Sequence, residues 1–407
     1  MSFQQGLSGL DAATKYLDVI GNNVANSNTV GFKGASIQFN DAFASSLSGS
    51  GSNSVGIGAS VGAILPNFTQ GNITVTNNPL DIAINGAGFF RISDQGAITY
   101  SRNGQYQLDN RGYIVNGQGA RLTGFQASPT GTIVASSPSD LKVATADIAP
   151  AATSSSKFVV NVDSRVTPML AASFNPADTT TFHSATSVSV YDSLGNAHTL
   201  SSYFVKTTPN TWQIFATNDG VQIGAGPIGA LTFLGNGGMD MTATTMPFNA
   251  SATLTNGADS PFNFTVDFTG STQFGSTFGV IELDQDGFAS GKLSGFTMDG
   301  SGVLIARYSN GQTRPQGQVV LANFTNTQGL RPLGSNGWAE TTDSGPALIG
   351  APGSGNLGVV QSGAVEDSNV DLTKELVAMI TVQRVYQANA QSIKTMDSVL
   401  QTVVNLR

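Results

Sequence analysis

Apolar or small side chains at Phe3, Leu7, Leu10, Thr14, Leu17, Gly21 and Val24 follow alternating steps of four and three. That spacing predicts an N-terminal helix with a heptad seam. A similar stripe recurs at the other end, at Leu372, Leu376, Met379, Tyr386, Ala390, Ile393, Leu400, Val403 and Val404, in a stretch without Gly or Pro over 372–407. Asp371 or Asn369 can cap this second helix, and Glu375 in its first turn suits the positive end of the helix dipole. Between the helices, over roughly 61–356, the pattern changes to short runs of period two, as in 88–93, 188–191, 201–206, 262–266 and 319–324. Turn pairs such as Asn103-Gly104, Asn116-Gly117 and Asp286-Gly287 punctuate these runs, as strands and hairpins require. The prediction is a mainly β fold with a coiled-coil pair of helices at its extremities. Isolated helices are marginal in water, so these two are expected to pack on each other or on copies of themselves. Stretches rich in Ser, Gly, Ala or Thr at 45–60 and 149–157 read as loops or linkers.

At 407 residues the chain is long enough for two to four domains. Charged residues make up 11% of it, against about 25% in an average soluble protein. Its 18 basic and 26 acidic residues leave no basic footprint for nucleic acid. A 40% hydrophobic content with 23 Phe argues against disorder. The net charge of −8 is unevenly placed, because 146–285 holds three basic and ten acidic residues and the remainder is close to neutral. A near-neutral part that associates and an acidic part that stays solvated are the expected division. Cysteine is absent, which removes disulfides and thiolate chemistry, and only His183 and His198 remain as imidazoles. The first residues carry neither a basic n-region nor an apolar h-region, and no run approaches 18 apolar residues, so neither a cleaved signal nor membrane insertion is expected. Such a composition nevertheless suits a secreted surface or filament protein.

Sites for chemistry are weak. Gly224, Gly226 and Gly229 match a dinucleotide fingerprint in letters, but 230–235 reads as a strand where the fingerprint needs a helix. The glycine run at 56–62 fails in the same way and lacks the Lys of a phosphate loop. Asp284 and Asp286 resemble a fragment of a calcium loop without its remaining ligands, so a turn is expected. His198 follows Asp192 by six residues across a hairpin, which allows a surface hydrogen bond, with no activated Ser or oxyanion hole beside it. No catalytic, cofactor-binding or metal-ligating residue is predicted, and an assembling structural protein is the better reading. A secreted β-rich adhesin would need no C-terminal heptad, and an enzyme would need a pocket around His183 or His198.

Ala25, Asn26, Thr29, Gly31, Phe32 and Lys33 match the pattern A-N-x-x-T-x-G-[FY]-[KR]. This run closely resembles the N-terminal signature of the bacterial flagellar rod, hook and hook-associated axial proteins. Its Asn-rich part ends the helix by side-chain competition for the backbone, and Gly31 permits a sharp turn. Residues 79–90, 100–104, 124–125 and 363–389 are similar to further blocks of the same family. Length and the segment 190–198 resemble the hook members, whereas rod members are shorter and the first hook-associated protein is longer; a distal rod or hook-associated member is the alternative.

The resemblance implies a non-enzymatic subunit of a curved, flexible tube that transmits torque from motor to filament, located in the flagellum and exported without a cleaved signal. It implies a terminal helical domain of 1–25 with 370–407 and connecting segments at 26–70 and 357–369. It further implies an inner β-domain of 71–146 with 286–356 and an inserted outer β-domain at 147–285, from a chain that goes out and returns. The assembly interface would be the helical seams at Phe3, Leu7, Leu10, Leu17, Val24, Leu372, Leu376, Met379, Tyr386, Ile393, Leu400 and Val403. Implied partners are further copies of the chain, the distal rod protein, the hook cap, the first hook-associated (junction) protein, the type III export apparatus and the hook-length ruler. No cofactor, nucleic acid or membrane partner is implied.

Overall fold

The computed structural model describes residues 2–42, 56 and 58–405. Most of the Ser/Gly-rich stretch at 45–60 therefore lies outside the described residues. Two α-helices, α1 (Ser2–Ala25) and α2 (Leu372–Asn405), stand at the two ends, and the described residues between them form strands, turns and three short 3-10 helices. The chain divides into two compact units, one of Met1–Thr145, Gly295–Arg307 and Thr313–Arg407, the other of Ala146–Ser294 and Tyr308–Gln312.

In the first unit the outgoing and returning chains are zipped together. Ile73–Val75 pairs antiparallel with Ala364–Glu366, and Ile82–Asn85 pairs antiparallel with Val359–Ser362. The β body carries a core of Ile82, Ile84, Phe90, Ile92, Leu122, Leu141 and Leu321. A second cluster is aromatic: Phe68 meets Phe89 and Trp338 edge-on at 5.3 and 4.9 Å, and Tyr100 meets Phe324 at 4.8 Å. Edge-to-face contacts of this kind place the positive rim of one ring on the negative face of another.

The region 26–70, expected as a connecting segment, contains an antiparallel pair of strands, Ala35–Ala42 with Gly58–Pro66. The pair packs on α1. Ser8 Oγ accepts from the Ala59 amide, and Tyr16 meets Phe39 edge-on at 5.9 Å.

The second unit has two five-stranded sheets. Ser155–Asp163 lies inside one of them, parallel to Phe262–Asp267 and antiparallel to Gly279–Gln285. The core includes Phe158, Phe204, Trp212, Phe264 and Phe268, with the Trp212 indole donating to Gln273 Oε1 at 2.6 Å. The unit begins one residue before the expected 147 but runs on past the expected 285. The cause is backbone pairing: Phe288 bridges to Ala151 and Gly291 to Ile148, so the returning chain stays bound to the outgoing one. Asp286, far from forming a calcium loop, accepts from the Ser154 amide, the Ser154 hydroxyl and the Ser155 amide. Gly229–Thr232 is a strand, so the dinucleotide-like glycines precede no helix.

The hairpin around 190–198 joins Ser184–Tyr191 to Ala197–Thr208. Its Asp192 is not on the surface as expected but fully buried. The carboxylate accepts from the Leu194 and Asn196 amides at 2.9 and 2.8 Å and from Asn256 Nδ2 at 2.6 Å. His198 lies between this carboxylate, at 3.2 Å from Nε2, and Asp219, at 2.6 Å from Nδ1. The cluster closes the turn against a neighbouring loop.

Candidate assembly surface

α2 begins at an N-cap. The Asp371 carboxylate accepts from the amides of Thr373 and Lys374 at 2.9 and 3.1 Å, satisfying two donors that the first turn leaves free. Asn369, the other candidate cap, does something else: its Oδ1 accepts from the Gly34 amide and its Nδ2 donates to the carbonyls of Asn67 and Thr69. It thereby ties the segment after α1 to the segment before α2.

The two helices pack on each other through Ala13, Ile20 and Val382, with Tyr16, Leu17, Val24, Ala378 and Met379 around them. A Cβ on Gly6 would come within 3.0 Å of Ile393 Cγ1, and one on Gly9 within 2.7 Å of Asn389 Nδ2. Asn23 Nδ2 completes the row by donating to Glu375 Oε1 at 3.1 Å. The face of α1 turned to α2 is thus Gly6, Gly9, Ala13, Ile20 and Asn23. It lies one residue, or about 100° of helix, from the stripe marked by the large apolar side chains. Small residues let the axes approach, and the larger ones flank the contact.

Of the stripe residues, Leu10, Leu17 and Val24 are half-buried, while Phe3 and Leu7 are exposed. On α2, Met379 and Ile393 face α1, whereas Leu372, Leu376, Tyr386 and Leu400 are exposed. The side chain of Val403 lies outside the described residues. Val377 and Ile380, absent from the predicted stripe, are 60% and 52% exposed. α2 therefore offers apolar side chains on a face that the other described residues leave exposed.

The signature residues sit where α1 joins the β body. Asn26 Nδ2 donates to the Asn22 carbonyl at 2.9 Å, and its Oδ1 receives the Thr29 hydroxyl at 3.2 Å, ending the helix as its composition suggests. Ala25 is the last helical residue. Gly31 has φ +70°, and a Cβ there would stand 2.5 Å from the Asn103 amide nitrogen. Its own N–H donates to the Glu366 carbonyl at 2.7 Å.

Lys33 reaches the Glu366 carboxylate at 2.6 Å, and Arg102 reaches the other oxygen at 3.0 Å. The Gly71 amide donates to the same carboxylate at 2.8 Å. Lys33 also donates to the Thr69 carbonyl and Arg102 to the Gly86 carbonyl, both at 2.8 Å. Burial pulls the Lys33 ammonium below its ordinary pKa against the opposing pull of Glu366, and Arg102 is lowered by burial in the same way. Glu366, followed by Asp367, lies in the family-like block at 363–389, but nothing local marked it as the partner of two buried cations.

Four segments of the chain match family models. Residues 3–33 match the flagella basal body rod protein family, 83–167 the D1 domain of flagellar hook protein FlgE/F/G, 161–288 the D2 domain of flagellar basal body protein FlaE, and 361–406 the C-terminal domain of flagellar basal body rod proteins FlgEFG. The chain is 40% identical to the flagellar hook protein FlgE of Escherichia coli over the full length of both. It is 41% identical to that of Salmonella typhimurium, again over both full lengths, and 33% identical to that of Borreliella burgdorferi over 100% of this chain and 99% of the relative. The chain belongs to the flagellar hook protein family. A crystal structure of Helicobacter pylori flagellar hook protein FlgE2 shares the fold, with a TM-score of 0.53 over 71% of this chain and 99% of that one at 13% identity. The protein is a structural hook subunit of the bacterial flagellum, a polymeric axial component. Its open helical faces belong to a chain whose relatives are flagellar hook proteins.

Proposed function

We propose that the exposed apolar faces of α1 and α2 are the surfaces by which hook subunits hold one another in a curved tube, and that this tube acts as a universal joint between rod and filament. The observation that carries the reading is the uncovered face at Leu376, Val377 and Ile380, on a helix whose opposite side is already committed to α1. Burying apolar area between copies contributes about 25 cal/mol per Å². Polar contacts between β units are weak, each about 0–1 kcal/mol, so they exchange at little cost as the tube bends and turns. The acidic second unit resists lateral collapse by like-charge repulsion. By the same reading the subunit also meets the distal rod protein, the hook cap, the first hook-associated protein, the type III export apparatus and the hook-length ruler.

The test is Val377→Asp with Ile380→Asp in the full chain. Both sites are exposed, so the monomer is expected to melt within about 0.5 kcal/mol of the parent. Sedimentable tubes, counted by electron microscopy, are expected to disappear. Normal tubes from this variant would overturn the reading.

A further inference from the structure

A cavity of about 460 Å³ opens on the first unit, walled by Phe32, Pro66, Leu330, Pro332 and Trp338 and by the polar edges of Asn22 and Asn26. Among the described residues Lys33 is the one charged residue in its wall, and that ammonium is held by Glu366 with its side chain fully buried. The socket therefore presents no free charge, and its apolar floor is rimmed by the polar side chains of Asn22, Asn26, Gln328, Ser335 and Asn336. An apolar cavity of about 150 Å³ takes one benzene-sized group, so this one has room for two or three aliphatic side chains. The far wall is fixed by the tip of the hairpin that pairs Arg331–Gly334 with Gly337–Ala339, where Asn336 Nδ2 donates to the Val30 carbonyl at 2.9 Å.

Its position matters as much as its chemistry. Asn22 and Asn26 flank Asn23, which is hydrogen-bonded to Glu375, so the socket lies level with the first turns of α2. α2 contributes nothing to the wall. At that same level α2 presents Leu376, Val377 and Ile380, 43%, 60% and 52% exposed. One molecule thus carries an apolar knob and a hole with an apolar floor and no free charge, on separate surfaces at one height. A knob and a hole on different surfaces of one subunit make a heterologous contact, which propagates from copy to copy and generates rings or helical assemblies.

We propose that this socket receives the Leu376, Val377 and Ile380 knob of a neighbouring copy, and that Asn26, Gly31, Phe32 and Lys33 of the signature serve to build it. The proposal rests on the reading that the open face of α2 is buried between copies, and adds where that face goes.

The chain has no cysteine and two tryptophans, of which Trp212 is buried in the second unit. Both facts suit a test on the full chain. Gln328→Cys at the socket rim and Val377→Cys on the knob replace exposed side chains. On mild oxidation of preformed tubes they are expected to yield a ladder of covalent multimers. Gln328→Cys with Leu400→Cys is the control, since 400 lies about 35 Å further along α2 and should give no ladder. In a Trp212→Phe background, acrylamide quenching of Trp338 is expected to fall about threefold on polymerisation, as water is excluded from an interface core.

Tubes that form but show neither the ladder nor the shielding would overturn the socket while leaving the α2 reading intact. Tubes that form despite Val377→Asp and Ile380→Asp would overturn both.

Discussion

Lys33 and Glu366 stand 333 positions apart in the chain and share an ion pair of 2.6 Å in which both side chains are fully removed from solvent. With Arg102 on the second oxygen, one carboxylate offsets two buried cations. The carboxylate thus holds the signature loop to the strand that leads into α2.

Replacing Glu366 with Gln keeps the shape and removes the charge, leaving Lys33 and Arg102 uncompensated. Breaking a buried pair in this way costs about 3–5 kcal/mol. Urea unfolding of the first unit, followed through Trp338, is expected to move to lower denaturant by that amount. A change below about 1 kcal/mol would mean that the cations are hydrated in the native state.

Gly31→Ala is expected to be as damaging for a different reason. The residue would carry a side chain at φ +70° and place its Cβ 2.5 Å from the backbone nitrogen of Asn103, a group that cannot swing away. Left-handed backbone alone costs a non-glycine residue about 1–3 kcal/mol, and the clash adds to it. The thermal midpoint of the first unit is the measurement, with Gly96→Ala as reference, since that glycine also has positive φ but open space around it.

What the sequence made legible follows from which side chains carry signal. Heptad spacing of large apolar residues located both helices, and period-two alternation located the β body. Stripe residues Leu17, Val24 and Met379 join the α1–α2 contact, but Gly6, Gly9 and Ala13, which also face α2, carry almost no apolar signal and were not legible. The bond between Asp192 and His198 was readable from the hairpin spacing, but Asp192 looked like a surface residue because nothing local announces that Asn256 will cover it. The pairing of Glu366 was invisible because its two cations come from distant segments. The signature residues were legible as a pattern, and only the fold shows that Lys33 is buried and Gly31 sterically required.

The displaced seam yields its own test. Gly6→Leu would drive a side chain into Ile393, where even a Cβ stands at 3.0 Å, and overpacking of this kind costs about 1–3 kcal/mol. Loss of helical circular dichroism on mild heating and loss of tubes are expected, with Trp212 fluorescence in the second unit unchanged. Leu7→Ala, one residue along and on an exposed position, is expected to leave monomer helicity as it was. If Leu7→Ala melted the pair and Gly6→Leu did not, the heptad stripe would be the true contact.

The His198 cluster makes the second unit sensitive to pH from both sides. Burial pulls the imidazole pKa down, but the hydrogen bonds and charges of Asp219 and Asp192 outweigh it, and the net shift is upward. For Asp219, burial raises the pKa and the bonds from His198 and the Thr199 amide more than reverse it, so the net shift is downward. A raised imidazole contributes stability that is complete below about pH 6.5 and fades as pH rises through its folded value. A depressed carboxylate contributes stability that is present above about pH 4 and fades as pH falls through its own folded value. The second unit is therefore expected to be most stable between those limits, with its melting point, read through Trp212, falling as pH rises from 6 to 9. His198→Gln retains a polar side chain but no charge. It is expected to lower stability at pH 6 by about 1.5–3 kcal/mol, the range for a hydrogen bond to a charged group, and to flatten the decline above pH 6. An unchanged slope in that variant would place the titrating group elsewhere in the unit.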